Sequence, residues 1–267
     1  MRKSIIAIFW ILAIILTLCS SIYQRKTGPT NPKKTTIKIN DKDYKLSFPR
    51  SATATNNTIT LNIPDTNVKA QLIYREYNLN KEFTKIDFNN NGQTLTVNLP
   101  IQPNAGKLEY YVSVNQEMLF ESDPLILRFK GDVPSEVLIP HIIFMFVSML
   151  FASYGLILAI ANKKNVGRYV ILTIITLIIG GFIFGPLVQK YAFGVYWSGF
   201  PFGYDLTDNK TLIALFALLI NIIFLKKKIF RITSIIAFCV MITIFCIPHS
   251  LRGSELNHQT GIIETAR

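Results

Sequence analysis

The carboxy-terminal half of the chain alternates between long apolar segments and short polar ones. Because about 20 helical residues cross the ~30 Å hydrocarbon layer of a membrane, the pattern predicts four spans, at residues 137–161, 169–188, 206–225 and 229–247. At the amino terminus, basic residues precede another apolar run, which predicts a signal anchor and first span over residues 1–22. The alternative is a signal peptide that is cleaved. The chain is therefore expected to be a polytopic α-helical membrane protein with about five spans.

Between the first two spans the pattern changes from long apolar runs to short alternating ones. Eight strands are predicted between clusters of Asn, Asp, Gly and Pro, at residues 36–39, 44–48, 58–63, 70–74, 94–99, 108–114, 118–120 and 125–129. Short strands at this spacing favour an antiparallel, all-β sandwich over residues 35–131. A polar, basic linker over residues 23–34 is expected to join it to the first span.

Charge orients the predicted spans. With the amino terminus in the cytoplasm, the three inner segments are residues 1–3, 162–168 and 226–231, which hold nine basic residues and no acidic ones. This leaves 19 of the 28 basic residues and all 16 acidic residues outside, a net charge of only +3. The pattern is a positive-inside signal. Most of the net charge of +12 is thereby explained, and no nucleic-acid partner is expected.

The three cysteines, Cys19, Cys239 and Cys246, all lie in apolar segments. No spacing typical of a zinc site or a CxxC pair is present, so we interpret them as apolar thiols. The sequence predicts neither a metal site nor a cofactor.

An aromatic loop is predicted outside the membrane over residues 189–210. It carries seven aromatic residues, three glycines and one proline before a polar run. Tyr196, Trp197 and Tyr204 are candidates for a groove that binds a lipid, a quinone or a glycan. The alternative is an aromatic belt, in which such rings lie at the headgroup layer.

Four polar residues follow those rings. Asp205 and Asp208 are candidates for a general base, or for capping the next helix, since Asp at a helix start accepts amide hydrogen bonds. Asn209 belongs to the same candidate ligand-binding group. Lys210 is expected to need an anionic partner, Asp208 or Glu255, because a cation in the first turn opposes the helix dipole.

A second polar cluster follows the last span. His249 and Glu255 are candidates for acid–base chemistry, and Ser250 and Arg252 for binding an anion. The alternative is a polar helix terminus, with Arg252 against lipid phosphate. His141, early in the second span, joins the ligand-binding candidates.

The fourth and fifth spans share a short inner connection, so they must be antiparallel neighbours. Their outer ends are then about 10 Å apart. We therefore expect four catalytic candidates to converge there: Asp208, Lys210, His249 and Glu255.

Two resemblances add to this pattern. Residues 99–112 (LPIQPNAGKLEYYV) resemble the E–F corner of fibronectin type III and bacterial immunoglobulin-like domains, which implies that Tyr110 or Tyr111 faces the core. The chain also resembles an uncharacterised family of bacterial inner-membrane proteins. That resemblance rests on six motifs, YQRKTGPT, QPNAGKLEY, KGDVP, QKYAFG, DLTDNKT and PHSLRGSEL, and implies no particular activity.

The resulting hypothesis is a multi-pass protein of the bacterial plasma (inner) membrane, with the amino terminus in the cytoplasm and both the sandwich and the tail, residues 248–267, in the periplasm. It is expected to be a non-enzymatic envelope component that binds a partner through residues 35–131, or a ligand at the periplasmic face. The alternative is an enzyme that acts on a lipid-linked or quinone-type substrate in a pocket on that face.

Overall fold

The computed structural model describes residues 2–79, 81–249, 251, 253–258 and 260–265. The chain combines five helices with several β sheets and divides into two compact units. The helical unit contains Met1–Gly28 and Val133–Ser254, and the β unit contains Pro29–Asp132 and Glu255–Glu264. The predicted mixture of apolar helices and β structure is confirmed.

Four helices are long and apolar enough to cross a membrane, and a fifth apolar helix is shorter, with 17 residues. In chain order they are α1 (Lys3–Thr27), α2 (Ser135–Ile160), α3 (Val166–Phe193), α4 (Leu206–Ile223) and α5 (Phe230–Cys246).

Two helices continue beyond their predicted ends. The prediction of a linker from residue 23 is wrong for residues 23–27, which extend α1 to Thr27. The loop predicted from residue 189 is likewise helical through Phe193. In both places polar residues such as Gln and Lys, which are good helix formers, continue the helix past the apolar run. Gly194 then ends α3 in a left-handed conformation, φ 82°, and its amide donates to Lys190 O.

Buried small and polar side chains hold the helices together. The Cβ of an alanine at Gly155 of α2 would lie 2.5 Å from the Phe238 ring of α5, so only glycine permits this contact. Thr17 of α1 donates to Ser153 of α2 at 3.3 Å. Small residues and interhelical hydrogen bonds are the usual means of helix association in membranes.

Polar contacts join the carboxy-terminal ends of α2 and α4 to the amino-terminal part of α5. The Arg231 guanidinium donates to Ala159 O at 2.7 Å and Ile160 O at 2.8 Å, where it caps the end of α2. Asn221 of α4 donates to Ser234 of α5 at 3.1 Å and is itself fully buried. The two helices are therefore antiparallel neighbours, as their short connection predicts.

A π-helical segment, Ile178–Phe184, interrupts α3. A Cβ at Gly180 would lie 3.0 Å from Met145 N of α2, and one at Gly181 would lie 2.7 Å from Thr211 Cγ2 of α4. At this segment α3 therefore packs closely against both α2 and α4. This agrees with the close packing that small residues in an apolar span permit.

Among the residues that the structure describes, eleven strands lie between α1 and α2, and two more follow α5. They are β1 (Lys33–Ile39), β2 (Lys42–Phe48), β3 (Ser51–Ala52), β4 (Thr58–Leu61), β5 (Ala70–Glu76), β6 (Thr84–Asp87), β7 (Asn89–Asn90), β8 (Leu95–Asn98), β9 (Lys107–Val114), β10 (Glu117–Leu119), β11 (Leu125–Phe129), β12 (Ser254–Leu256) and β13 (Ile263–Thr265). Each of the eight predicted strands overlaps one of these.

The strands of the β unit form a sheet in the order β3-β11-β9-β5-β6, with β10 beside β9, a sheet β4-β8-β7 and the hairpin β1-β2. Every pairing described here is antiparallel except β3 with β11. One hydrophobic core receives side chains from both larger sheets and from β2. The alternating burial of β4 and β8 reflects this arrangement, since successive side chains point to opposite faces.

Tyr110, rather than Tyr111, faces this core. Its side chain is fully buried and its hydroxyl donates to Pro49 O at 2.7 Å. Burial raises the pKa of Tyr110 well above its ordinary value. Tyr111 is only partly buried, with its ring edge-on to Phe83. The hydroxyl partner of Tyr110 lies in a distant segment, whereas a tyrosine corner bonds to the backbone a few residues upstream.

The tail holds strands that the sequence pattern does not reveal. Leu256 N donates to Ala105 O at 3.1 Å, so β12 reaches the turn before β9. Three short strands, β3, β6 and β7, were also not predicted. Two of them have two residues each, too few to show an alternating pattern, and β6 (TKID) has only one apolar residue.

Candidate functional site

The candidate site lies at the loop of residues 194–205, between α3 and α4. Trp197 stacks on Phe182 of α3, with ring centroids 5.7 Å apart, and its Nε1 donates to Phe200 O at 3.1 Å. Within the loop, the amides of Phe202 and Gly203 both donate to Gly199 O at 2.9 Å. The loop therefore has a defined internal structure and packs on the side of α3.

Asp208, in the first turn of α4, binds the loop backbone. Its Oδ2 accepts from Ser198 N at 2.7 Å, Gly199 N at 3.1 Å and Ser198 Oγ at 3.3 Å. A Cβ at Gly199 would lie 2.6 Å from Asp208 Cβ, so only glycine allows this approach. Asn209 adds a parallel contact, since its Oδ1 accepts from Phe200 N at 2.7 Å.

Asp205 begins α4 as its N-cap, because its Oδ1 accepts from Thr207 N at 2.8 Å. Its Oδ2 accepts from Ser254 N at 3.1 Å and Ser254 Oγ at 3.3 Å. The sequence analysis gave capping as one interpretation of this residue, and the contact with Ser254 is additional. Asp205 thus connects the start of α4 to the segment after α5.

Hydroxyl groups join the two aspartates into one buried network. Ser198 Oγ lies 3.2 Å from Ser254 Oγ, and Gln189 Nε2 of α3 donates to Ser198 Oγ. Asp205 and Asp208 are 5% and 8% exposed. Such burial is tolerated because backbone and hydroxyl donors satisfy both carboxylates.

Lys210 is also buried, with 4% of its surface exposed. Its Nζ donates to Ile247 O, the C-cap carbonyl of α5, at 2.8 Å. Gln24 of α1 donates to the same carbonyl at 3.1 Å. The predicted ion pair is not observed: neither Asp208 nor Glu255 pairs with Lys210 among the described residues. Instead the cation compensates the carboxy-terminal end of the α5 dipole.

His141 lies one turn into α2, half-buried, with Nδ1 2.9 Å from Gly180 O. Because a carbonyl only accepts, Nδ1 carries the proton in this contact. The Gly185 amide donates to the same oxygen across the π-helical segment. Neutral His141 therefore has the tautomer that leaves Nε2 as an acceptor.

His249 follows α5. Desolvation, and then repulsion from Lys210 and from His141, lowers the pKa of His249 to about 3. More than a third of the residue's surface is nevertheless exposed. Lys210 binds Ile247 O, two positions before His249, so these two residues lie in the same part of the helical unit.

Glu255 belongs to the β unit, where its Oε2 accepts from Lys107 Nζ at 2.5 Å. Of the four residues expected to converge, the helical unit holds Asp208, Lys210 and His249. Ser250 and Arg252 lie outside the described residues.

Most of the aromatic side chains are exposed. The exposed fractions are 56% for Tyr196, 69% for Phe200, 82% for Phe202 and 75% for Tyr204. Trp197 is half-buried on α3. The expected groove would require rings that face one another across a cleft, whereas these rings present an outer surface.

Sequence reasoning missed four residues that complete the site: Gln24, Gly180, Gln189 and Ser198. Each acts through a backbone group or a single hydroxyl or amide, which has no characteristic spacing in the sequence. Only the small residues Ser198 and Gly199 indicate in the sequence that the loop backbone lies close to another segment.

No group of three or more His, Cys, Asp or Glu side chains in the described part of the chain is placed to hold a metal ion. Comparison with models of protein families, with curated proteins and with solved structures gave no match.

Proposed function

We propose that this chain is a five-span protein of the bacterial plasma membrane, with the amino terminus in the cytoplasm. Its role is that of a non-enzymatic envelope component that binds a partner or ligand at the periplasmic face. The charge distribution supports the orientation, because nine basic and no acidic residues fall in the inner segments. Helix α5 has 17 residues and covers about 26 Å, so it spans a ~30 Å layer with its flanking residues.

The β unit is proposed as the partner-binding module, with an immunoglobulin-like or fibronectin type III-like sandwich. Two larger sheets with one shared core and a buried Tyr110 support this assignment. Domains of this architecture serve many functions, so the fold alone does not specify the partner.

One observation favours a non-enzymatic role most strongly. The polar side chains of the DLTDNKT motif are engaged in holding backbone: Asp205 and Asp208 accept amides, Asn209 accepts another, and Lys210 donates to a helix-terminal carbonyl. A general acid or base must exchange its proton with substrate at hydrogen-bonding distance. Residues that satisfy buried backbone groups are instead structural.

The alternative is an enzyme that acts on a lipid-linked or quinone-type substrate. The observation that favours it is that Lys210 binds Ile247 O, two positions before His249. With Nδ1 bound to Gly180 O, His141 keeps Nε2 as an acceptor. An imidazole close to an ammonium group is a combination suited to proton transfer.

Complementation of a deletion strain separates these roles. Asp208→Asn, His141→Gln and His249→Gln are each compared with wild type for protein level in the membrane and for rescue of envelope integrity, scored as sensitivity to detergent. Asp41→Asn is the control, since this aspartate side chain is 95% exposed. The non-enzymatic role predicts that rescue falls only in proportion to protein level. Lost rescue at a normal level of either histidine variant would instead favour the enzyme.

A further inference from the structure

The charges that flank α3 indicate where the membrane boundary crosses it. Arg168 and Lys190 are 22 positions apart in the sequence, or about 33 Å at 1.5 Å per helical residue. That distance matches a hydrocarbon layer of ~30 Å. The outer boundary therefore lies close to Lys190, near the end of α3.

The loop of residues 194–205 folds back below that boundary. Trp197 stacks on Phe182, which precedes Lys190 by eight positions, about 12 Å along the helix. Gln189 reaches Ser198 from near the boundary itself. The loop therefore runs beside α3 between the levels of Phe182 and Gln189, rather than beyond the end of the helix.

Contacts with α4 give the same level independently. Ser198 and Gly199 bind Asp208 in the first turn of α4. This helix has 18 residues and is about 27 Å long, slightly shorter than the hydrocarbon layer. Its first turn must therefore lie at the boundary, and so must the loop backbone attached to it.

Irregular backbone at this depth requires internal hydrogen bonds, because lipid offers none. Seven amides of the loop donate to protein acceptors, those of Gly194, Ser198, Gly199, Phe200, Phe202, Gly203 and Asp205. Pro201 has no amide hydrogen to satisfy. The backbone of residues 198–203 thus meets the main requirement for a segment in contact with lipid.

We propose that residues 195–204 form a re-entrant segment whose exposed rings enter the membrane at the boundary between acyl chains and headgroups. Phe200 and Phe202 provide apolar surface, and Tyr204 provides a ring with a polar end suited to that layer. The two spans that the loop contacts also expose apolar side chains, since Ile183 of α3 and Ile213 of α4 are 52% and 53% exposed. This inference is independent of whether the protein is an enzyme.

Spin labelling measures the depth directly. In a variant whose three cysteines are replaced by serine, a nitroxide label is placed at Phe202→Cys. The full-length protein is incorporated singly into nanodiscs of phosphatidylethanolamine and phosphatidylglycerol. Collision with oxygen, which enriches in lipid, is compared with collision with a water-soluble nickel chelate. Ile213→Cys is the lipid-exposed control, and Gln93→Cys, in an exposed turn of the β unit, is the aqueous control.

The proposal predicts that the label at residue 202 has an oxygen-to-nickel ratio close to that at residue 213 and several-fold above that at residue 93. A ratio like that at residue 93 would place the ring in water and overturn the proposal. Low collision with both reagents would also overturn it, because the label would then be packed inside the protein and not in contact with lipid.

A second measurement leaves the loop unaltered. Trp10→Phe makes Trp197 the only tryptophan, and its fluorescence is recorded in nanodiscs that contain lipids brominated along the acyl chain. Strong quenching by bromine near the headgroup end of the chain supports the re-entrant position. Quenching by aqueous iodide alone excludes it, even if the Phe202→Cys protein fails to fold.

Discussion

Replacement of Asp208 by alanine should release the loop of residues 194–205 without unfolding the helical unit. The change removes the acceptor of Ser198 N, which is partly buried, and of Gly199 N, which is buried. A buried donor left without a partner costs about 1–3 kcal/mol. Because the two amides are adjacent and relax together, we expect a combined loss of about 3 kcal/mol, less than the sum of two full penalties.

Asp208→Asn provides a graded comparison. Asparagine keeps one carbonyl oxygen for the two amides but loses the negative charge, and hydrogen bonds to charged groups are the stronger ones. The expected loss is about 1 kcal/mol. At 1.4 kcal/mol for each factor of ten, the two variants should open the loop about 150-fold and about fivefold more often.

Native-state hydrogen exchange in nanodiscs measures this opening, since exchange reports local unfolding free energies. Faster exchange should extend to Phe202 and Asp205, whose amides bind other loop carbonyls and not Asp208. Asn221→Ala is the matched control, because it cuts the buried contact at the other end of α4. If Asp208→Ala accelerates only Ser198 and Gly199, or neither, Asp208 does not hold the loop as a unit and the reasoning fails.

Three further predictions concern the rest of the chain. Topology reporters should give cytoplasmic signals at Lys164 and Lys227 and external signals at Asn90, Gly199 and His258, and a cytoplasmic signal at Gly199 would contradict the orientation. In residues 33–131 expressed alone, Tyr110→Phe should lower the free energy of unfolding by about 1 kcal/mol, because it removes only the bond to Pro49. Tyr110→Ala should lower it by about 3–5 kcal/mol. Both are measured by thermal unfolding, and equal losses would mean that the ring is not packed. The lowered pKa of His249 means that the folded protein binds fewer protons than the unfolded one between about pH 3 and about pH 6.5, so stability should fall as the pH is lowered through that range. The variant His249→Gln should reduce that fall in melting temperature.

The helices and the main strands could be predicted because long apolar runs and alternating patterns determine them over many residues. The helix ends could not, since polar residues such as Gln24 and Lys190 continue a helix that hydropathy ends earlier. The strands of the tail were missed for a related reason. Leu256 joins the β unit through a backbone bond to Ala105, and backbone pairing leaves no mark in a three-residue sequence.

The position of the candidate site could be predicted from the sequence, but its hydrogen-bond partners could not. The DLTDNKT motif stood out because charged residues close to a membrane boundary are costly. That cost suggested an ion pair for Lys210, whereas the structure satisfies the ammonium with Ile247 O at the end of another helix. Which carbonyl lies within reach depends on the packing of α4 against α5, and the residue types alone do not encode it.

The π-helical segment of α3 also changes the direction in which side chains after it point, relative to those before it. One residue changes the direction of every later side chain by about 100°, and a π-bulge amounts to one residue of extra winding. The part of α3 before the segment can therefore turn Val170 and Ile174 toward the core, while the part after it independently aims Gln189 at Ser198. Deletion of one residue from the regular helix between Gly185 and Gln189 would keep the span hydrophobic and long enough, yet would turn Gln189 and the loop by about 100° about the helix axis.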